Sequence, residues 1–180
     1  MKIIKNNLET GKKIRTMKDY PKKGIEFLDI TPFILDKDTF EEIVNMFVVE
    51  LKDKNIEYIL APEARGFYFA GCIASKINAG VIPVRKKGKL PPDYVEIKID
   101  YEKEYGKDEL WLPKLIKDEY LGKRVYILDD IYATGNTAKA IQTAAEKLGA
   151  IVVGTGVVIN IVGLNNNKNV FSLMEVEEEL

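Results

Sequence analysis

The chain of 180 residues contains no histidine and a single cysteine, Cys72. The lack of imidazole excludes every Ser-His-Asp or Cys-His mechanism and every histidine-ligated zinc or non-haem iron site. One cysteine forms no internal disulfide, and the first 20 residues have no apolar segment of the kind found in secretory signals. We therefore expect a cytoplasmic protein.

The sequence also lacks an excess of positive or negative charge, and it has no long apolar run. The 27 basic and 28 acidic residues give a formal net charge of −1, so there is no electrostatic footprint for duplex nucleic acid or an anionic membrane. No apolar stretch approaches the roughly 18 residues that cross a bilayer. With 46% apolar and 31% charged residues, the composition predicts one globular domain over residues 1–180.

The apolar patterns predict an α/β fold with a central, mostly parallel sheet flanked by helices. β-branched runs alternate with amphipathic stretches at the spacing of a βαβ unit. The predicted elements, in order, are a helix over 40–51 with Asp38 as N-cap, a strand at 56–61, a helix over 66–78, strands at 80–84 and 124–128, a helix over 137–148, and one strand made of 151–153 and 157–159 and interrupted by Gly154 and Gly156.

Two segments depart from this alternation. Residues 1–35 are rich in turns and predict a loop, here termed the hood, that folds over another part of the molecule. In residues 95–101 apolar and charged side chains alternate strictly, and extended structure resumes at 109–112. We predict a mobile, half-exposed antiparallel arm within about 85–112 that stands off the sheet.

Residues 125–137 carry the clearest chemical signal. An apolar strand runs into Asp129 and Asp130, a loop of small residues and a helix N-terminus. Ligands of open α/β sheets lie at the carboxyl ends of strands, and free amides at a helix N-terminus bind phosphate. Adjacent carboxylates repel phosphate but suit sugar hydroxyls, so the pattern predicts a sugar-phosphate site. Alternatively, Asp130 and Thr137 only end a strand and cap a helix.

The loop is neither a Walker loop nor a dinucleotide fingerprint. Residues 127–137, Ile-Leu-Asp-Asp-Ile-Tyr-Ala-Thr-Gly-Asn-Thr, instead resemble the phosphoribosyl pyrophosphate (PRPP) motif of type I phosphoribosyltransferases, in the version of the adenine phosphoribosyltransferases. Further segments are similar to that family in the same order. They are the base-binding hood at 20–32, the pyrophosphate loop at 62–67, the flexible catalytic loop at 84–91 and 101–106, and the chain end at 170–174.

The resemblance extends over roughly residues 15–176 and implies both a fold and a reaction. The fold is that of the type I phosphoribosyltransferases, with a hood and a flexible β arm. The reaction transfers the 5-phosphoribosyl group from PRPP to adenine, giving AMP and pyrophosphate in purine salvage. The resemblance also implies Mg²⁺, held mainly through PRPP and pyrophosphate and not by direct protein ligands, and a homodimer.

The resemblance assigns roles around the ribose and its phosphates. Asp129 and Asp130 bind the ribose hydroxyls and favour a cationic transition state. Arg65, Arg85 and Lys89 bind pyrophosphate, although the basic run 86–89 by itself is typical of a solvated surface. The residues expected to hold the 5′-phosphate share the loop that leads into a helix, and they are Ala133, Thr134, Gly135, Asn136 and Thr137.

The resemblance assigns recognition of the purine base to the hood and the arm. Phe27 stacks on the purine, and the backbone near Glu26 and Leu28 reads its edge, although Phe27 by itself would suit the core. Glu104 is the general acid/base near the purine nitrogens, and Tyr105 stabilises the closed arm. Without the resemblance, the residues around Glu104 are typical of a solvated hairpin tip.

This chain departs from the family at three places, each of which bears on the site. The family usually has glycine where Asn136 stands, a basic residue where Leu28 stands and a longer polar segment where 161–169 runs. Asparagine tolerates the left-handed backbone, so we expect Asn136 to preserve the phosphate loop.

Other functions fit the same sequence. A phosphoribosyltransferase for another purine, such as hypoxanthine or xanthine, would share the site and differ in how it reads the base. A regulatory protein that senses PRPP without turnover would keep the sugar-phosphate loop, although Glu104 and the lack of a DNA-binding segment favour an enzyme. A flavodoxin-like binding domain would leave the arm unexplained.

Overall fold

The computed structural model describes residues 1–9, 14–20, 22–103, 106–116, 119–165, 167 and 169–177, with the backbone alone at 102, 103, 106 and 107. The strands are β1 (Lys2–Asn6), β2 (Arg15–Lys18), β3 (Glu26–Asp29), β4 (Tyr58–Pro62), β5 (Gly80–Lys86), β6 (Val95–Lys103), β7 (Gly106–Pro113), β8 (Arg124–Tyr132), β9 (Ile151–Val162) and β10 (Val170–Glu177). The helices are α1 (Thr31–Leu35), α2 (Lys37–Leu51), α3 (Gly66–Lys76) and α4 (Asn136–Lys147), with a 3-10 turn at Pro92–Tyr94.

The main sheet has eight strands in the order β1-β10-β9-β8-β4-β5-β7-β6. The five strands from β10 to β5 are parallel, and antiparallel strands lie at both edges. The predicted α/β fold is confirmed. The chain passes from β4 to β5 on one side and from β8 to β9 on the other, so β4 and β8 flank a topological switch point. Ligands of open α/β sheets bind at the carboxyl ends of such strands.

Apolar helix faces cover both sides of the sheet, because alternate residues of each buried strand point in opposite directions. On one side α2 and α3 bury Phe47 and Phe69 against Leu128 of β8. On the other side α4 buries Ile141 and Ala145 in a second cluster. The two clusters hold β4 and β8 in place, and the loops at their carboxyl ends therefore start from rigid positions.

The start of α2 differs from the sequence prediction by two residues. Oδ1 of Asp36 accepts the backbone N–H of Thr39 at 2.8 Å, which makes Asp36 the N-cap. The predicted cap, Asp38, lies in the first turn of the helix. Both positions are acidic, and only the backbone conformation distinguishes them.

The sequence predicted one strand here, interrupted by Gly154 and Gly156, and β9 runs through both glycines without a break. The ring of Tyr126 on the neighbouring strand β8 lies across these glycines. A Cβ on Gly154 would lie 3.1 Å from Cε2 of Tyr126, and one on Gly156 would lie 2.7 Å from Cε1 of Phe47. The glycines therefore make room for aromatic rings and do not end the strand.

The arm is antiparallel as predicted, with β6 paired to β7. The prediction that it stands off the sheet is wrong. β7 also pairs with β5, at Arg85↔Trp111 and Lys86↔Leu110, so the arm extends the main sheet. Leu110 and Leu112 are buried in the cluster beneath α4. Hydrophobic burial therefore holds the base of the arm, and its tip at Glu104 and Tyr105 lies outside the described residues.

The segment predicted as the hood divides between two sheets. β1 pairs with β10 at the edge of the main sheet, whereas β2 and β3 form a separate two-stranded antiparallel sheet. The second sheet carries Glu26, Phe27 and Leu28. None of the helices in the described ranges combines the length and hydropathy needed to span a bilayer.

Candidate active site

A cavity of about 610 Å³ opens where the carboxyl ends of β4 and β8 meet the hood. Eleven of the predicted site residues line it, and they are Glu26, Phe27, Leu28, Arg65, Asp129, Asp130, Ala133, Thr134, Gly135, Asn136 and Thr137. Three segments thus meet at one opening, namely residues 26–28, Arg65 and residues 129–137, which are about 37 and 64 residues apart in the sequence. Loops from adjacent parallel strands lie at the same edge of the sheet, which accounts for the meeting of the second and third segments.

The loop after β8 is a cradle of free backbone amides. Gly135 adopts a left-handed conformation with φ of 81° and immediately precedes α4. Within the described ranges, no protein acceptor takes the N–H groups of Thr134, Gly135 or Thr137. These donors lie at a helix N-terminus, where the helix dipole also favours an anion. The predicted phosphate loop therefore has the donors that a phosphate requires.

Gly135 is required here for a second reason besides its positive φ. The ring of Tyr132 packs directly against it. A Cβ at Gly135 would lie 2.8 Å from Cε1 of Tyr132 and nearer still to its hydroxyl oxygen. Tyr132 is buried at 7% exposure and also lines the cavity. It supports the loop from beneath, although it was not among the predicted site residues.

The paired acids lie beside this loop and differ in their contacts. Asp130 is 3% exposed, and its Oδ2 lies 2.9 Å from Nε of Arg65. The orientation of this ion pair leaves Oδ2 with no hydrogen-bond donor in the described part of the chain. Oδ1 of Asp129 accepts the backbone N–H of Asp130 at 2.8 Å. A buried acceptor without a donor is suited to a ligand hydroxyl.

Burial and the neighbouring Asp130 carboxylate raise the pKa of Asp129 well above its ordinary value of 3.8. A raised pKa means that the ionised form is less favourable in the folded chain than in the unfolded chain. The resulting loss of stability is absent below pH 3.8, grows as the pH rises through the unfolded and then the folded pKa, and is complete above both.

Asp129→Asn is therefore expected to raise the melting temperature at pH 7 by roughly 2 °C, while its gain disappears near pH 3. Asparagine keeps the acceptor for the Asp130 amide and removes the charge. Thermal melts of both proteins across this pH range would measure the effect. Asp93→Asn, at an exposed position in the 3-10 turn, is the control. A gain that is equal at pH 3 and pH 7 would contradict the assignment.

Arg65 connects the acids to the hood. Besides its ion pair with Asp130, its Nη1 donates to the carbonyl oxygen of Leu28 at 3.3 Å. Its guanidinium lies 5.6 Å from the centre of the Phe27 ring, within cation–π range. Arg65 is 41% exposed, so its free donors face the cavity mouth and remain available for an anion.

The hood presents Phe27 to the cavity while it buries its neighbour. Leu28 is 3% exposed and belongs to the main core. Phe27 is only half-buried and packs edge-on against Tyr20, with ring centres 5.2 Å apart. The Glu26 carboxylate accepts hydrogen bonds from the amino group of Met1 at 3.0 and 3.2 Å. Alternation along β3 therefore places Leu28 in the core and leaves Phe27 available to a ligand.

Two of the predicted pyrophosphate ligands do not line the cavity. Nε of Arg85 donates to Oε2 of Glu63 at 3.0 Å, and Lys89 is exposed beyond the end of β5. Lys86 lines the cavity instead, and its backbone N–H donates to the same Glu63 oxygen at 3.0 Å. Arg85 and Lys86 are adjacent on a strand, so their side chains point to opposite faces. Lys86 was not among the predicted site residues, because the basic run 86–89 by itself is typical of a solvated surface.

Tyr101 and Leu110 of the arm also line the cavity and were not among the predicted site residues. Alternation with charged residues had indicated only a half-buried strand at Tyr101, and Leu110 was predicted only to be extended. The predicted general acid/base Glu104 and its neighbour Tyr105 lie outside the described residues. Their roles stay predictions, as do those of Arg85 and Lys89.

The carboxylates suit a divalent cation that takes most of its ligands from elsewhere. Within the described residues there is no cluster of three or more histidine, cysteine, aspartate or glutamate side chains that could enclose a metal ion. Asp129 and Asp130 supply hard oxygen atoms at the cavity. Mg²⁺ favours such hard oxygen atoms, and a cation held mainly by the phosphates and hydroxyls of a ligand, with these carboxylates close to it, fits this donor set.

Comparison with known proteins agrees with this geometry. A family model described as the phosphoribosyl transferase domain matches residues 34–170. The adenine phosphoribosyltransferase of Brachyspira hyodysenteriae is 44% identical over 158 residues, which cover 87% of this chain and 90% of the relative. The chain belongs to the adenine phosphoribosyltransferase family. The resemblance found in the sequence is thereby confirmed, and the chain is a transferase.

Solved structures of this family share its fold. The crystal structure of adenine phosphoribosyltransferase from Thermoanaerobacter pseudethanolicus has a TM-score of 0.82 and 38% identity, covering 91% of this chain and 95% of that one. The Saccharomyces cerevisiae adenine phosphoribosyltransferase, complexed with D-2,5-dideoxy-2,5-imino-altritol 1,6-bisphosphate and adenine, has a TM-score of 0.78 and 33% identity, covering 89% and 93%. The yeast complex shows that a member of this family binds an imino-sugar bisphosphate and adenine.

Proposed function

We propose that this chain transfers the 5-phosphoribosyl group of PRPP to adenine, releasing AMP and pyrophosphate in purine salvage. The observation that carries the proposal is the juxtaposition of the amide cradle after β8 with the buried Asp130 carboxylate. The amides of the cradle bind the 5′-phosphate, and the carboxylates of Asp129 and Asp130 accept hydrogen bonds from the hydroxyls of the same ribose. The relatives named adenine phosphoribosyltransferase support adenine as the acceptor.

The charge that develops on the ribose during the reaction explains the roles of the acids and the cradle. When the anomeric C–O bond breaks, positive charge develops on the ribose while a purine nitrogen approaches the anomeric carbon. Asp129 and Asp130 face the ribose from a water-poor position, where their negative charge stabilises the developing cation more than it would in water. The cradle fixes the 5′-phosphate, so the sugar is oriented before the bond breaks.

The departing pyrophosphate needs positive charge. Arg65 and Lys86 lie at the cavity mouth and supply it. We propose that Asp129 and Asp130, through the ribose hydroxyls, and the phosphates of PRPP together hold Mg²⁺, which neutralises pyrophosphate oxygens when bound. Glu104 and Tyr105 of the arm, together with Arg85 and Lys89, complete the site in this proposal.

The decisive assay combines the purified chain with PRPP and Mg²⁺ and offers adenine, hypoxanthine, guanine or xanthine as acceptor. We expect AMP and pyrophosphate from adenine, and much slower nucleotide formation from the other bases. Faster turnover of hypoxanthine or xanthine would identify an enzyme for another purine. PRPP binding without nucleotide from any base would instead identify a PRPP sensor. Omitting Mg²⁺ is expected to abolish product formation, which tests the cofactor.

Phe27→Ala is expected to raise KM for adenine about 10-fold and to leave KM for PRPP within about twofold. The reason is that Phe27 offers its ring to the cavity and contributes little to the core. Initial rates with each substrate varied in turn measure both constants. Tyr94→Ala, at a side chain 62% exposed in the 3-10 turn, serves as the control. Loss of folding in Phe27→Ala without a selective change in adenine KM would mean that Phe27 is structural.

We also propose that the chain is a homodimer, as the family resemblance implies, and that it lies in the cytoplasm, as the sequence predicts. Two aromatic or apolar side chains on the outer faces of α2 and α3, Val49 and Tyr68, are 66% and 52% exposed. Light scattering would measure the mass in solution. A monomeric mass at micromolar concentration would contradict the dimer.

A further inference from the structure

The asparagine-rich turn between β9 and β10 takes no part in the chemistry described so far. Side-chain to backbone hydrogen bonds link its described asparagines one after another. Oδ1 of Asn165 accepts the backbone N–H of Asn167 at 3.2 Å, and Oδ1 of Asn167 accepts that of Asn169 at 3.0 Å. With their side-chain oxygens used in this way, Asn165 and Asn167 keep their amide nitrogens for other partners. Both nitrogens point to the segment that begins the phosphate cradle.

Asn165 holds this segment through its backbone. Its Nδ2 donates to the carbonyl oxygen of Ala133 at 2.8 Å. Oδ1 of Asn160, a side chain only 6% exposed, and the carbonyl oxygen of Ile161 lie 3.0 and 3.1 Å from the same nitrogen. Three oxygens around one position require a donor there, which determines which end of the amide faces them. The Asn165 side chain is therefore held in a single orientation.

The contact to Ala133 has a consequence on the opposite side of the peptide. A trans peptide is planar, and its C=O and N–H point in opposite directions. The peptide that offers the Ala133 carbonyl to Asn165 carries the N–H of Thr134, one of the free donors of the cradle. Asn165 does not line the cavity, whereas Thr134 does. Holding the carbonyl toward Asn165 therefore directs the Thr134 N–H away from Asn165, at a residue that lines the cavity.

A second tether joins the same two segments. Nδ2 of Asn167 donates to the hydroxyl of Tyr132 at 3.1 Å. The Tyr132 ring is the surface on which Gly135 rests. The turn thus holds one peptide of the cradle directly and supports its glycine through an aromatic ring.

We infer that Asn165 is a positioning residue for the 5′-phosphate. It acts by orienting the Ala133–Thr134 peptide, with Asn167 and Tyr132 as a weaker second tether. The inference rests on the proposed function, because it requires that the cradle binds the phosphate of a phosphoribosyl ligand. It predicts a selective effect, since the turn holds the cradle and makes no described contact with Arg65 or Lys86 at the cavity mouth.

The test measures ligand binding to the full chain by isothermal titration calorimetry. Asn165→Leu keeps the shape of the side chain and removes the donor. We expect it to weaken ribose 5-phosphate binding about 10-fold and to raise KM for PRPP comparably, while binding of inorganic pyrophosphate and KM for adenine stay within about twofold. Asn169→Leu, at an exposed position of the same turn, is the matched control and is expected to bind both ligands normally.

The outcomes separate the inference from the function on which it rests. Asn165→Leu that binds ribose 5-phosphate as tightly as the wild type, or loses both ligands equally, would overturn the positioning role. A wild-type chain that neither binds ribose 5-phosphate nor forms AMP would overturn the proposed function and the inference with it. If thermal melts show that Asn165→Leu does not fold, Asn167→Ala tests the second tether at an exposed side chain. It is expected to weaken ribose 5-phosphate binding about threefold without affecting pyrophosphate, and unchanged binding would contradict the inference.

Discussion

Asp130→Asn is expected to lower kcat/KM for AMP formation at least about 100-fold. The carboxylate is almost completely buried, so its charge acts through a poorly screened environment on the cation that develops at the ribose. Removing one preorganised electrostatic contact to a transition state typically costs about 100- to 1,000-fold in rate. Asparagine keeps the shape but removes the negative charge and the ion pair with Arg65.

Steady-state rates of pyrophosphate release with adenine and PRPP would measure this loss. Arg65 is 41% exposed and can be solvated when its partner is neutral, so we expect the variant to fold. A thermal melt checks that expectation, and Asp93→Asn at the exposed 3-10 turn controls for loss of one surface charge. A value of kcat/KM within twofold of the wild type would exclude Asp130 from the reaction.

Gly135→Ala is expected to reduce kcat/KM for PRPP by about 100-fold or more. Two costs combine at this position. An alanine at φ of 81° is strained by about 1 to 2 kcal/mol, and its Cβ would collide with the Tyr132 ring. The loop can relieve the collision only by moving, and the amide donors then leave the positions that bind phosphate.

Gly122→Ala separates the strain of alanine at a positive φ from the steric collision with Tyr132. Gly122 has φ of 74° with open space where a Cβ would lie, and it lies in the turn before β8, outside the cavity lining. We expect it to lower the melting temperature while leaving the kinetics of AMP formation unchanged. If both alanine variants lost stability equally and neither lost PRPP affinity, the close packing of Gly135 on Tyr132 would have no role in the site.

The part of the site that could be predicted from the sequence is the part that is contiguous in it. Asp129, Asp130 and residues 133–137 follow one another along a strand end, a loop and a helix start, so local backbone rules suffice to place them together. Phe27 was assigned through family resemblance, since one aromatic residue in a turn-rich segment suits a core equally well. Its availability to a ligand depends on which face of β3 the core covers.

Other features depend on packing between distant segments. Whether Arg85 or Lys86 faces the cavity is a matter of strand pleat and register, and a shift of one residue would exchange them. The arm joins the main sheet because β7 pairs with β5, a contact between segments separated by the arm's own hairpin. The link from Asn165 to Ala133 spans 32 residues and has no local signature.

The sequence alone determined the alternation of strands and helices, the family and the position of the phosphate loop, because apolar periodicity and small-residue loops are encoded locally. The tertiary structure decided which side chains reach the cavity, which acid is buried beside Arg65, and what holds the loop in place. Those features depend on the register of paired strands and on hydrogen bonds between distant residues, and neither follows from local propensity.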